Sequence, residues 1–98
     1  MKSFNELIAS PTPVLVDFFA EWCGPCKAMA PILKEVKAKL GDYATIIKVD
    51  VDKNQQVSLV YGIKGVPTLI LFKNGKPLWR QSGVVAAGDL VQLFRQYK

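Results

Sequence analysis

Two cysteines separated by two residues carry the reactive chemistry of this chain. Cys23-Gly-Pro-Cys26 stands between an apolar run, Val14 to Ala20, and a helical pattern that reaches about Leu40. That placement puts Cys23 at a helix N-terminus, where unpaired N–H groups and the macrodipole favour a thiolate. Pro25 suits the first turn, where its missing donor costs nothing. Gly24 keeps side-chain bulk away from Cys23. Residues three apart on a helical turn lie about 5–6 Å apart, within disulfide range, so the pair opens and closes with little movement. Dithiol–disulfide exchange is the chemistry this spacing suits. A plain stabilising staple competes poorly: closing so short a loop is worth about 2 kcal/mol, and in the cytosol such a bond is usually reduced. Half of a zinc site, completed by a second chain, is the other alternative.

Composition excludes most other chemistries. The chain has 98 residues, two cysteines and no histidine, which fits one domain over residues 1–98. Without histidine there is no Ser-His-Asp or Cys-His nucleophile system. Structural zinc usually takes four Cys or His ligands, so no metal site is expected. A c-type haem attachment needs His after the second cysteine, where Lys27 stands. Thirteen Lys and Arg against eight Asp and Glu give +5, but the basic residues are scattered. No basic block or basic–aromatic interleaving points to nucleic acid. No segment approaches the roughly 18 apolar residues of a membrane span, and the N-terminus does not read as a signal peptide. A cytoplasmic location is the expectation.

The elements that position the cysteines follow one another closely. Ser3 to Ser10 reads as a short helix, with Phe4, Leu7 and Ile8 on one face and a Ser3–Glu6 capping box. Pro11 and Pro13 end it. Val14 to Ala20 reads as a strand buried on both faces, although Asp17 interrupts it, where a charge is expensive to bury. In the second helix Met29, Ile32, Leu33, Val36 and Leu40 form the apolar stripe; Pro31 should kink it and Gly41 should stop it. Ala44 to Asp50 reads as the next strand, in a right-handed parallel βαβ unit. A short helix, about Asn54 to Tyr61, precedes Gly62. Strands Thr68–Lys73 and Pro77–Ser82 flank Asn74-Gly75, a strong hairpin signal. The last helix covers about Ala87 to Tyr97, with Leu90, Leu93, Phe94 and Tyr97 inward. The expected fold is α/β, a four-stranded mixed sheet with helices on both faces.

Trp22-Cys-Gly-Pro-Cys-Lys27 resembles the active site of the thioredoxin family. The resemblance extends along the chain through Val14 to Trp22, Ala30-Pro-Ile-Leu33, Lys48-Val-Asp-Val-Asp52, Tyr61 to Thr68 and Phe72-Lys-Asn-Gly75. Glutaredoxins, disulfide isomerases and DsbA-type oxidants usually carry other dipeptides between their cysteines. The resemblance implies a thioredoxin fold and a protein-disulfide reductase. Cys23 would attack and form a mixed disulfide; Cys26, the more buried thiol, would resolve it. Asp17 would handle the proton of Cys26, and Lys48 on the adjacent strand would bias the charge of Asp17. Val66–Pro67 would be a cis peptide bond, with the Val66 backbone pairing with substrate. Trp22, Gly24, Pro25, Val66, Pro67 and Gly83 would form an apolar docking patch. The implied partners are disulfide-containing proteins and an NADPH-dependent thioredoxin reductase. No cofactor is implied, and the expected state is a monomer. A dedicated oxidant or isomerase of the same fold, or a non-redox binding subunit, are the rival readings.

Three departures from the family pattern stand out. Thioredoxins commonly begin with an edge strand before the first helix; here Met1 and Lys2 lead into the capping box, so that strand is expected to be missing and Ala44 to Asp50 to be a bare edge. Phe19 replaces a usual Trp. Ala86 stands where Ser or Thr commonly caps the last helix, a loss of about 1 kcal/mol that Asp89 partly offsets through the dipole.

Overall fold

Ser3 and Glu6 close on each other and start the first helix. In the computed structural model, which describes residues 2–98, α1 spans Phe4–Ile8. Ser3 Oγ accepts from the Glu6 N–H at 3.2 Å and Glu6 Oε1 accepts from the Ser3 N–H at 3.3 Å, so the capping box forms as expected. Strand β1 spans Val14–Phe19 and α2 spans Gly24–Leu40. The helix runs on through Pro31 and stops at Gly41, whose φ of 58° is cheap only for glycine. A 3₁₀ turn over Gly41–Tyr43, which the sequence does not signal, leads into β2, Thr45–Asp50. Helix α3 spans Gln55–Val60, β3 Thr68–Lys73, β4 Lys76–Ser82 and α4 Ala87–Gln96.

The four-stranded sheet has the order β2-β1-β3-β4. β1 pairs parallel with β2, which needs α2 as the crossover, and antiparallel with β3. Asn74 and Gly75, with φ of 55° and 79°, make the tight turn between β3 and β4. Pro77 is tolerated because β4 is an edge.

Alternation along β1 sorts its side chains into two cores. Leu15 joins Met29, Leu33 and Val36 of α2 and Leu90 and Phe94 of α4. Val14, Val16 and Phe18 join Ile8 on the other face, with Phe4 and Tyr61 packed against them. Helices therefore cover both faces of the sheet. Asp17 is in phase with Leu15, so it faces α2. On β2, Ile46 packs against that same cluster, and Lys48 is in phase with it. β2 is the outer strand on its side, and no described segment pairs with its free edge.

Candidate active site

Cys23 is the N-cap of α2, with extended backbone (φ −89°, ψ 114°). Its Sγ accepts the Cys26 N–H at 3.1 Å. A capping position normally filled by an oxygen acceptor is thus filled by sulfur, and the contact favours negative charge there. Pro25 sits within the first helical turn, where no N–H is needed. Cys23 and Cys26 are joined in a disulfide, with Cα atoms 5.3 Å apart. The molecule is therefore described in its oxidised form.

The expectation that Cys26 is the deeper thiol does not hold in this form. Cys23 is 4% exposed and Cys26 7%. The two differ in what they face. Cys23 Sγ lies 3.6 Å from the Val66 carbonyl oxygen, so a neighbouring loop covers it. Cys26 lines a pocket of about 360 Å³ that also holds Asp17, Lys48, Lys27 and Glu21. Phe19 is half-buried and, like Val51, packs against the cluster formed by Ala20 and the two cysteines.

The covering loop is latched in place. The Val66–Pro67 peptide bond is cis. The Pro67 carbonyl accepts from the Gly83 N–H at 2.8 Å. Gly83 has φ 93°, a backbone conformation that favours glycine. Thr68 Oγ1 donates to the Gly65 carbonyl at 2.6 Å and lies 3.0 Å from Ser82 Oγ. Pro67 itself is buried while Val66 is half-exposed. Pro67 thus lies beneath the surface that Val66 and Gly83 present.

Trp22 is 72% exposed, which removes a core-packing role. Its indole Nε1 donates to Asp52 Oδ2 at 2.9 Å. Asp52 is a site residue that the sequence does not single out. It is placed by Asp50, whose Oδ1 accepts from the Asp52 N–H at 2.9 Å. Gly24 and Pro25 are exposed beside Trp22. Val84, 48% exposed, follows Gly83 and was likewise not signalled.

Asp17 is 2% exposed. Burial pushes its carboxyl from the ordinary 3.8 up to about 6, and the positive charge of Lys48 pulls part of the way back. Asp17 and Lys48 are partners in the β1–β2 register. Yet among the described residues they do not close a salt bridge. Asp17 Oδ1 has no hydrogen-bond partner in the protein. A buried carboxyl with an unused oxygen, in the same pocket as Cys26, can take up a proton there.

The chain is similar to known proteins over most of its length. The family model described as Thioredoxin matches residues 1–96. The chain is 50% identical over 92 residues to the chloroplastic thioredoxin Y of Oryza sativa subsp. japonica, covering 93% of this chain and 55% of that protein. It therefore spans about half the length of the rice relative. A thioredoxin-like protein of Synechocystis sp. is 48% identical over 91 residues, covering 92% of this chain and 87% of that protein. Among solved structures, a mutant thioredoxin from Halobacterium salinarum superposes with a TM-score of 0.84 at 35% identity, covering 99% of this chain and 87% of that one.

Proposed function

The chain belongs to the thioredoxin family of protein-disulfide oxidoreductases, and we propose that it works as a reductase of disulfide-containing proteins. One observation carries the reading. Cys23 Sγ sits at a helix N-cap, accepts the Cys26 N–H at 3.1 Å and lies beside the Val66 carbonyl. A thiolate there is favoured by the amide and by a helix end worth about 0.3–1 kcal/mol.

In the reduced form, the Cys23 thiolate attacks one sulfur of the substrate disulfide and expels the other as a thiolate. Trp22, Gly24, Pro25, Val66 and Gly83 offer the substrate a mostly apolar surface, and the Val66 backbone pairs with an extended segment beside the scissile bond. Cys26 then loses its proton into the Asp17 pocket and attacks Cys23 Sγ. The second substrate thiolate leaves, and the Cys23–Cys26 disulfide remains. Two electrons have passed to the substrate. Lys48 biases Asp17 without pairing with it. The dithiol is restored with two electrons from NADPH, delivered by a thioredoxin reductase. The chain needs no resident cofactor for these steps, since the cysteine pair is the redox group.

We place this activity in a monomer in the cytoplasm; no helix among the described residues is long and apolar enough to cross a membrane. The test is NADPH oxidation coupled to reduction of a disulfide protein by a bacterial-type thioredoxin reductase. Turnover that depends on this chain and vanishes in Cys23→Ser supports the reading. Absence of turnover, or turnover that survives Cys23→Ser, overturns it.

A further inference from the structure

Among the described residues nothing pairs with the outer edge of β2, and apart from Lys48 the redox chemistry uses neither that edge nor the groove beside it. We propose that this edge is a second docking site, which takes a short extended acidic segment of a partner protein by strand addition.

The edge is open only in its middle. A strand directs the backbone groups of successive residues to alternate sides. The Val51 N–H donates toward β1, to the Phe19 carbonyl at 2.9 Å. Residues in phase with Val51 therefore bond to β1, and the intervening ones point outward. Both ends of the outward row are already capped. Lys37 Nζ donates to the Ala44 carbonyl at 2.8 Å, and the Asn54 N–H and Nδ2 donate to the Asp50 carbonyl at 2.9 and 3.0 Å. Ile46 and Lys48 remain, each with an outward N–H and C=O. An unpaired row of this kind is a template for another strand, and capping limits it to a short one.

Charge decides what the strand must be. Between α2 and β2 lies a groove of about 400 Å³, floored by Ala30, Leu33 and Ile46 and walled by Lys34, Lys37 and Lys48. No carboxylate lines it. Among the described residues neither Lys34 nor Lys48 is in an ion pair. A second copy of this chain, paired through the same edge, would bring these lysines toward their own counterparts, and like charges across a ladder are destabilising. A segment alternating carboxylates with apolar residues directs its charges to the α2 face, against the lysines, and its apolar side chains to the opposite face, beside Ile47 of β2. Strand addition supplies main-chain bonds and the alternate side chains supply selectivity.

The probe is a cysteine-free pentapeptide alternating glutamate and valine, blocked at both ends. It is titrated into the ¹⁵N-labelled oxidised protein, which keeps dithiol chemistry out of the readout. The expected result is amide shift changes centred on Ile46 and Lys48, weakened by salt. Lys34→Glu should weaken binding about five- to ten-fold, since it turns an exposed attraction into a repulsion. Methylation of the peptide's inward amides should abolish it. Four results would overturn the proposal: shifts confined to Trp22 and Val66, equal binding of the lysine-for-glutamate peptide, equal binding of the methylated peptide, or no shifts at millimolar peptide. Concentration-dependent self-association through Ile46–Lys48 would also overturn it, because the edge would then belong to a second copy.

Discussion

Replacing Asp17 with Asn should make the protein more stable and, at the same time, a slower reductase. Asp17 is 2% exposed, and burial raises its carboxyl from 3.8 to about 6. At about 1.4 kcal/mol per pH unit, keeping that group ionised in the fold costs about 3 kcal/mol at neutral pH and above. The sign follows from proton counts. Between about pH 4 and pH 6 the folded state holds a proton at Asp17 that the unfolded chain has lost, so wild-type stability falls as pH rises through that window. Asn is close in shape and carries no charge. The stability gained by Asp17→Asn should therefore be near zero below about pH 4, climb between about pH 4 and pH 6, and level off at about 3 kcal/mol. Guanidinium unfolding of the oxidised forms measures it. With a slope of roughly 3 kcal/mol per molar for a small domain, the midpoint moves up by about 1 M at pH 8. Stopped-flow reduction supplies the second half: the mixed disulfide should form at the wild-type rate and resolve more slowly. A stability difference that stays flat from pH 4 to pH 8 would refute the electrostatic reasoning. Unchanged resolution would refute the role in proton transfer.

Three further substitutions test neighbouring features. Asp52→Ala removes the acceptor of the Trp22 indole N–H at 2.9 Å; KM for protein disulfides should rise a few-fold with kcat little changed, and global stability should fall by no more than about 1 kcal/mol because the bond is exposed. Ala86 caps α4 in extended geometry with no side-chain hydrogen bond, so Ala86→Ser should add about 1 kcal/mol, read as a Tm rise of about 4–8 °C. Gly83 has open space around it but φ 93°, so Gly83→Val should lower stability by about 1–2 kcal/mol through backbone strain alone and should loosen substrate docking; an unchanged Tm would contradict the strain.

The parts of the molecule that depend on local patterning are readable from the residues in order. The capping box at Ser3, the apolar run of β1, the stripe of α2 and the Asn74-Gly75 hairpin are each fixed by neighbours within a few positions. So is the helix-end location of Cys23. What escapes such reading is set by contacts across the chain. Trp22 and Asp52 meet from positions 30 apart, and nothing near either one announces the pair. The similar burial of the two cysteines escapes it too. Helix geometry alone places Cys26 inward, but the Val66 loop, 43 positions away, closes over Cys23. The 3₁₀ turn at Gly41–Tyr43 and the capping of the Ala44 carbonyl by Lys37 are likewise products of how α2 packs back on β2. The burial of Asp17 lies between these cases. Its apolar neighbours foretell it, whereas its unused oxygen and the open separation from Lys48 do not follow from them.

That open separation bears on the proposed mechanism. Thr68 is partnered with Gly65 and Ser82, Ser58 with Asn54, and Asp50 with two backbone amides; among the described residues the Tyr43 hydroxyl is the one other buried side-chain oxygen without a partner. Asp17 keeps an oxygen without a partner. Closing a salt bridge to Lys48 would satisfy it and draw its pKa back down, as an adjacent cation does. A carboxylate near 3.8 is a weak acceptor for the proton of a thiol, whose ordinary pKa is about 8.5. At about 6 the gap is smaller by about two pH units. In a chain with no histidine, burial is the available means of moving a base toward neutrality. In the proposed mechanism Lys48 is then near enough to favour the ionised, proton-accepting form of Asp17 and far enough not to cancel its basicity. Under the proposed mechanism, incomplete satisfaction of Asp17 is the condition under which Cys26 is activated, and the stability lost there is the cost of a proton acceptor built without an imidazole.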